Sequence, residues 1–129
     1  MDIETPEDIK RLVDTFYGKV RQDELIGPVF NRFVGDHWDT HLPKMYSFWG
    51  MSLLGEGGYR GNAVQKHVEI DKQVALEQPH FNRWISLWEA TVDDLFRGAL
   101  ADDAKKKAGL MMQLIRIKVD AARTGKSLF

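Results

Sequence analysis

Four histidines, His37, His41, His67 and His80, and no cysteine frame the chemistry open to this chain. Without thiols there is no disulfide, zinc–thiolate centre, iron–sulfur cluster, thiol nucleophile or covalent C-x-x-C-H haem attachment. His37 and His41 stand four residues apart on one helical face, but the glutamate that a zincin places after its first histidine is missing. That pair offers at most a two-histidine metal site. No phosphate-binding loop, G-x-G-x-x-G turn, nucleophile elbow or acidic calcium loop is present, so phosphoryl transfer and serine-type catalysis have no residues to work with. What remains is a set of polar-tipped rings on otherwise apolar faces: Tyr17, His41, Trp49, His67 and Trp84. Each carries an N–H or O–H that needs a partner once buried, so a core built with several is either satisfied by backbone or lines a pocket with polar tips.

The elements that must position these rings read as helices. Thr5-Pro6-Glu7-Asp8 can open one, with Thr5 as cap, Pro6 at the first helical position and two acids at the positive helix end. Ile9, Leu12, Val13, Phe16, Tyr17 and Val20 follow at helical spacing. Gly27-Pro28 interrupts that pattern and sets off a short separate stretch with Val29, Phe30, Phe33 and Val34. A third helix is expected from Asp39-Thr40, with Thr40 as cap, Pro43 in the first turn, and Leu42, Met45, Phe48, Trp49, Ser52 and Leu53 inward. The glycine-rich segment from Gly55 to Asn62 reads as an ordered loop that delivers Val64 and His67. Residues 68–78 carry only a weak helical pattern. Pro79 opens a helix with Phe81, Trp84, Ile85, Trp88, Val92, Leu95 and Phe96 as its stripe, ending at Gly98. The last helix is expected from Asp102 or Asp103 to Arg123, with Ala104, Ala108, Met111, Met112, Ile115, Val119 and Ala122 inward and Gly125 as its stop. Lys105-Lys106-Lys107 reads as its solvated face.

With no period-2 run, the fold class is all-α, and helices of unequal length broken by glycine and proline suit globin-like crossed packing better than a bundle of matched rods. Lys and Arg number 18 against 19 Asp and Glu, a net charge of -1 that offers no field for nucleic acid or an anionic membrane. No basic leader precedes an apolar core, and no apolar run approaches the ~18 residues of a membrane span, so the expected compartment is the cytoplasm. His67 lies between the glycine-rich loop and the tryptophan-bearing helix. A flat apolar macrocycle needs a slot walled by Phe, Leu, Met and Val and one neutral imidazole, and the chain has both, although the same composition equally describes an empty helical core.

Phe16-Tyr17 with Val20-Arg21, Gly27-Pro28-Val29-Phe30-Asn31, His41 followed by Phe48-Trp49, Leu53-Leu54-Gly55-Glu56-Gly57, then Tyr59, Gly61, His67 and Trp84 form an ordered set. From Phe16 to about Leu95 it resembles the group III truncated haemoglobins. The resemblance implies one truncated globin domain over residues 1–129, a two-over-two helical sandwich around a noncovalent haem b. It implies His67 as the proximal iron ligand, Tyr17 and Trp84 as distal donors, His41 at the mouth of the distal site, and Met45 facing the distal haem surface. Phe30, Phe33, Trp49 and Leu53 would wall the pocket, and Tyr59 and Arg60 would reach the haem propionates. The polar stretch from Glu69 to Gln78 departs from the compact connection expected in that family.

The implied function is that of a b-type haem protein binding dioxygen, nitric oxide or another diatomic gas at five-coordinate iron. Oxygen release would be slow, because a partly negative ligand held by two donors must break both hydrogen bonds to leave. Nitric oxide detoxification would need an electron donor or reductase as partner. Two other readings stand beside it: a haem peroxidase-like enzyme, and a helical interaction module whose aromatic groove takes a partner helix without haem.

Overall fold

The computed structural model describes residues 1–57 and 63–124. Among them are six α-helices and no strand: α1 (Pro6–Gln22), α2 (Gly27–Val34), α3 (Trp38–Leu54), α4 (Ala63–Gln73), α5 (Gln78–Leu95) and α6 (Ala99–Thr124). The expectations placed on Tyr59, Arg60, Gly61 and Gly125 fall outside the described residues. α1 packs on α2, α3 and α5, while α6 packs on α3, α4 and α5. The core therefore runs continuously between the α1–α3 pair and the α5–α6 pair.

α1 begins as its sequence predicts. Thr5 Oγ1 accepts from the Asp8 amide at 3.2 Å, and the Asp8 carboxylate accepts from the Thr5 amide at 3.1 Å, a reciprocal capping box. Its apolar residues Ile9, Leu12, Val13, Phe16, Tyr17 and Val20 are all buried. α2 starts hard against the end of α1: a Cβ on Gly27 would lie 2.9 Å from the Val20 carbonyl oxygen, so only glycine permits this approach. The Asp23 carboxylate holds the junction by accepting from the Leu25 and Ile26 amides at 3.0 Å each.

Three expected boundaries are corrected. α3 begins at Trp38 with His37 at the cap position and no side-chain cap bond, so Thr40 does not cap it. Pro43 then falls in the second turn, where its missing N–H leaves the Asp39 carbonyl without a helical donor. α5 ends at Leu95, and Gly98 sits in the junction before α6 rather than closing a helix. α6 begins at Ala99 because a distant residue caps it: Asp2 accepts from the Leu100 and Ala101 amides at 2.9 Å each. Gly98, at φ +146°, lies so close that a Cβ there would be 2.5 Å from the Asp2 carboxyl carbon.

Two side-chain expectations also change. Ala122 is exposed, and the buried face of α6 ends at Val119. Lys105 and Lys107 are not merely solvated: Lys105 Nζ lies 2.7 Å from Asp93 on α5, and Lys107 reaches the Ser52 carbonyl on α3 and pairs with Asp103 at 3.0 Å. The stretch from Glu69 proves largely helical, because α4 continues to Gln73 and only residues 74–77 connect it to α5.

Trp88 anchors the centre. Fully buried, it donates from Nε1 to the Ala104 carbonyl at 3.1 Å and stacks on Trp49 at 4.4 Å and Trp84 at 5.6 Å between centroids. The Tyr46 hydroxyl donates to Asp14, pinning α3 to α1, and burial together with that carboxylate pushes its pKa up to about 12.

Candidate functional site

A cleft opens beside α2, α4 and α5. Ile26, Val29 and Phe30 line it from the start of α2, His67 from α4, Leu76 from the connection, and His80, Phe81 and Trp84 from the first half of α5. It is a narrow cleft of about 30 Å³, and its accessible lining is almost wholly apolar. Three residues singled out in the sequence, Phe30, His67 and Trp84, thus share one cavity.

Tyr17 lies one ring behind that lining. Its ring meets Phe30 edge-on at 5.9 Å, Phe16 at 5.0 Å and His41 at 5.4 Å. Phe16 also contacts Trp84 at 5.0 Å, so one phenyl ring spaces the two distal candidates. Burial raises the Tyr17 hydroxyl well above its ordinary value, so it stays protonated and available as a donor. Among the described residues neither that hydroxyl nor the Trp84 indole N–H has a hydrogen-bond partner.

His41 is clamped between two rings, Tyr17 at 5.4 Å and Trp38 at 5.6 Å, both edge-on. Its Nε2 is buried with no hydrogen-bond partner. Burial holds its pKa below the usual histidine value, and the charges of Lys44 and His67 act in the same direction. The imidazole is therefore neutral near pH 7, and it feels His67 across the site.

Other candidates are placed elsewhere. Met45 is half-buried on α3 one turn beyond His41, and Leu53 and Trp49 are in the core, outside the cleft lining. Phe33 is half-exposed, apart from the main core and with the Arg32 guanidinium 5.8 Å from its ring. His37 is exposed, and no cluster of three or more His, Cys, Asp or Glu gathers among the described residues. The His37/His41 pair thus gains no third ligand.

Trp38 and the cleft-lining role of His80 were missed by sequence reasoning. Trp38, 6% exposed, carries the Arg21 guanidinium 4.7 Å from its ring and forms one wall of the His41 clamp. Its place three residues before His41 on one helical face was the available sign. His80 Nδ1 accepts from the Glu77 amide at 2.9 Å at the start of α5, and the side chain also faces the cleft.

Helices packed around an apolar cleft, with an imidazole in its wall and polar-tipped rings beside it, have the architecture of a globin-type protein. No family model matches the chain. It is 32% identical over 108 residues to the group 3 truncated hemoglobin ctb of Campylobacter jejuni, covering 81% of this chain and 83% of that protein. The crystal structure of the group III truncated hemoglobin from Campylobacter jejuni superposes with a TM-score of 0.82 at 30% identity, over 92% of this chain and 95% of that one. The chain belongs to the group 3 truncated haemoglobins.

Among the described residues no helix is long and apolar enough to cross a membrane.

Proposed function

We propose that this globin holds a noncovalent haem b through His67 and presents a diatomic ligand, dioxygen first, to a polar distal face made by Tyr17, Trp84 and His41. The observation that carries the reading is the His41 Nε2, buried without a hydrogen-bond partner among the described residues, beside the Tyr17 ring and within electrostatic reach of His67. A buried polar atom left unpaired costs about 1–3 kcal/mol, so its persistence in a packed aromatic clamp fits a ligand that completes it.

The residues present fit the cofactor. Phe30, Leu76, Phe81, Val29 and Ile26 offer apolar faces to a flat macrocycle, and His67 offers an imidazole with no competing thiol in the chain. When bound, ferrous haem supplies an open coordination position where a diatomic ligand gains partial negative charge. Tyr17 and Trp84 then act as charge-assisted donors, and their apolar surroundings strengthen both bonds. Phe16, in edge contact with both rings, fixes the spacing between the donors. His41, neutral and gripped by Tyr17 and Trp38, closes the distal side as a gate whose motion must disturb the Tyr17 ring. Slow ligand release follows. Nitric oxide is a second ligand of the same chemistry, and turnover with it requires an external electron donor.

The test is haem reconstitution followed by visible spectroscopy. Stoichiometric uptake with a Soret band that is lost in His67→Ala is the expected result. A chain that takes up no stoichiometric haem, or a His67→Ala variant with an unchanged ferrous spectrum, overturns the assignment.

A further inference from the structure

The connection from α4 to α5 is held by a single arginine from the far end of α6. Arg123 Nε lies 2.9 Å from Asp71 Oδ2, and its Nη2 contacts Asp71 Oδ1, the Leu76 carbonyl at 2.7 Å and Glu77 Oε1 at 3.3 Å. Asp71 Oδ1 in turn accepts from the Leu76 amide at 2.8 Å. Both backbone polar groups of Leu76 are therefore taken by the two members of one ion pair. The Asp71 side chain is 6% exposed, and the Arg123 hydrogen bonds hold its carboxyl below the usual carboxylate range. This is a built contact rather than a solvated surface pair.

Its location gives it a purpose. Asp71 stands one helical turn beyond His67 on the same face of α4, and the buried Leu76 side chain lines the cleft together with His67. We propose that Asp71 and Arg123 are positioning residues: by gripping both backbone groups of Leu76 they seat its side chain against His67 and fix the proximal wall of the pocket. The inference rests on the haem reading above. It explains how a polar, charged segment from Glu69 to Gln78 can border an apolar cavity, since Asp71 and Glu77 turn to Arg123 of α6 while the buried Leu76 lines the cleft.

The alternative is an ion pair that merely staples α4 to α6, and a charge swap separates the two. An Asp71→Arg/Arg123→Asp pair restores the attraction but removes the carboxylate from the Leu76 amide and the guanidinium from its carbonyl. Asp71→Asn and Arg123→Gln are examined beside it, with Arg123→Lys as a variant that keeps the charge but not the planar fork. The readouts are hydrogen exchange at the Leu76 amide, transfer of haem to excess apomyoglobin, and the iron–histidine stretching band of the ferrous protein.

The expected result is Leu76 exchange about tenfold faster in all four proteins, haem loss faster by about fivefold to tenfold, and a shifted stretching band, with no recovery in the swap. Unchanged Leu76 exchange in Asp71→Asn and Arg123→Lys overturns the proposal, as does full recovery in the swap or faster exchange with wild-type haem retention. A wild-type chain that binds no haem overturns the haem reading instead, while exchange at Leu76 still decides whether the pair holds it.

Discussion

Replacing Tyr17 by phenylalanine removes one oxygen atom and leaves the ring, so it separates the two roles a buried tyrosine can have. The ring contacts to Phe16, Phe30, Trp38 and His41 are all retained. The hydroxyl has no hydrogen-bond partner among the described residues, so its loss strands no protein group. Stability of the haem-free protein is then unchanged or up to about 1 kcal/mol higher, because a nearly buried hydroxyl with no partner opposes folding. Ligand retention moves the other way. A hydrogen bond to a partly charged acceptor contributes about 1.5–3 kcal/mol, which at 1.36 kcal/mol per decade is a rate factor of about 10 to 150. With Trp84 still able to donate, the lower end applies, and oxygen dissociation from the ferrous haem-loaded protein accelerates about tenfold. Stopped-flow displacement of oxygen by carbon monoxide measures this directly. An unchanged dissociation rate would refute the distal-donor argument. A drop in apo stability of several kcal/mol would show that the hydroxyl is a structural group instead.

Three further expectations concern the frame. Asp2→Ala removes the side-chain cap of α6 and lowers urea-measured stability by about 1 kcal/mol, and a neutral result would mean that water caps this end equally well. Gly27→Ala forces a methyl against the Val20 and Arg21 carbonyl oxygens, backbone atoms that cannot swing aside, at a cost of about 1–3 kcal/mol by chemical denaturation. Asp2 and Asp71 both have carboxyls held below their ordinary value of 3.8, chiefly by the Leu100 amide and by Arg123 respectively. The stability they contribute is present in full above about pH 4 and is lost as pH falls through their lowered folded values. An Asp2→Asn/Asp71→Asn double variant therefore shows a flatter acid limb than the wild type, and identical limbs would contradict the assignment.

The helices were legible wherever one face had to be buried. The buried face of α1 emerged residue for residue from its spacing, and the stripe of α5 did so nearly as well. The misses share a cause. The start of α6 depends on Asp2 and the seat of Leu76 on Arg123, residues 98 and 47 positions away, and no local pattern encodes a partner so distant. α4 looked weak because Lys66, Glu69, Asp71 and Lys72 interrupt its apolar pattern, and the one that is buried, Asp71, finds its partner only on α6. Within the site, His67 and Trp84 stood out as polar-tipped rings on apolar faces while Phe30 came from the family resemblance, and the three line one cavity. Trp38 was passed over because it precedes the expected start of α3 at Asp39-Thr40 and so fell on no helical face.

The two sides of the cleft are held by opposite means, and this bears on how the site can work. On the α4 side Asp71, Arg123 and the Leu76 backbone pair with one another. Such a network has little reason to move when a ligand arrives. On the α1–α3 side His41 Nε2 is buried beside the Tyr17 ring with no hydrogen-bond partner among the described residues, a local arrangement that opposes folding. A polar group that reaches His41 relieves it. Ligand binding is thus expected to rearrange the Tyr17–His41–Trp38 cluster while leaving α4 in place, so selectivity among diatomic ligands falls to the side of the pocket that the fold leaves unsatisfied.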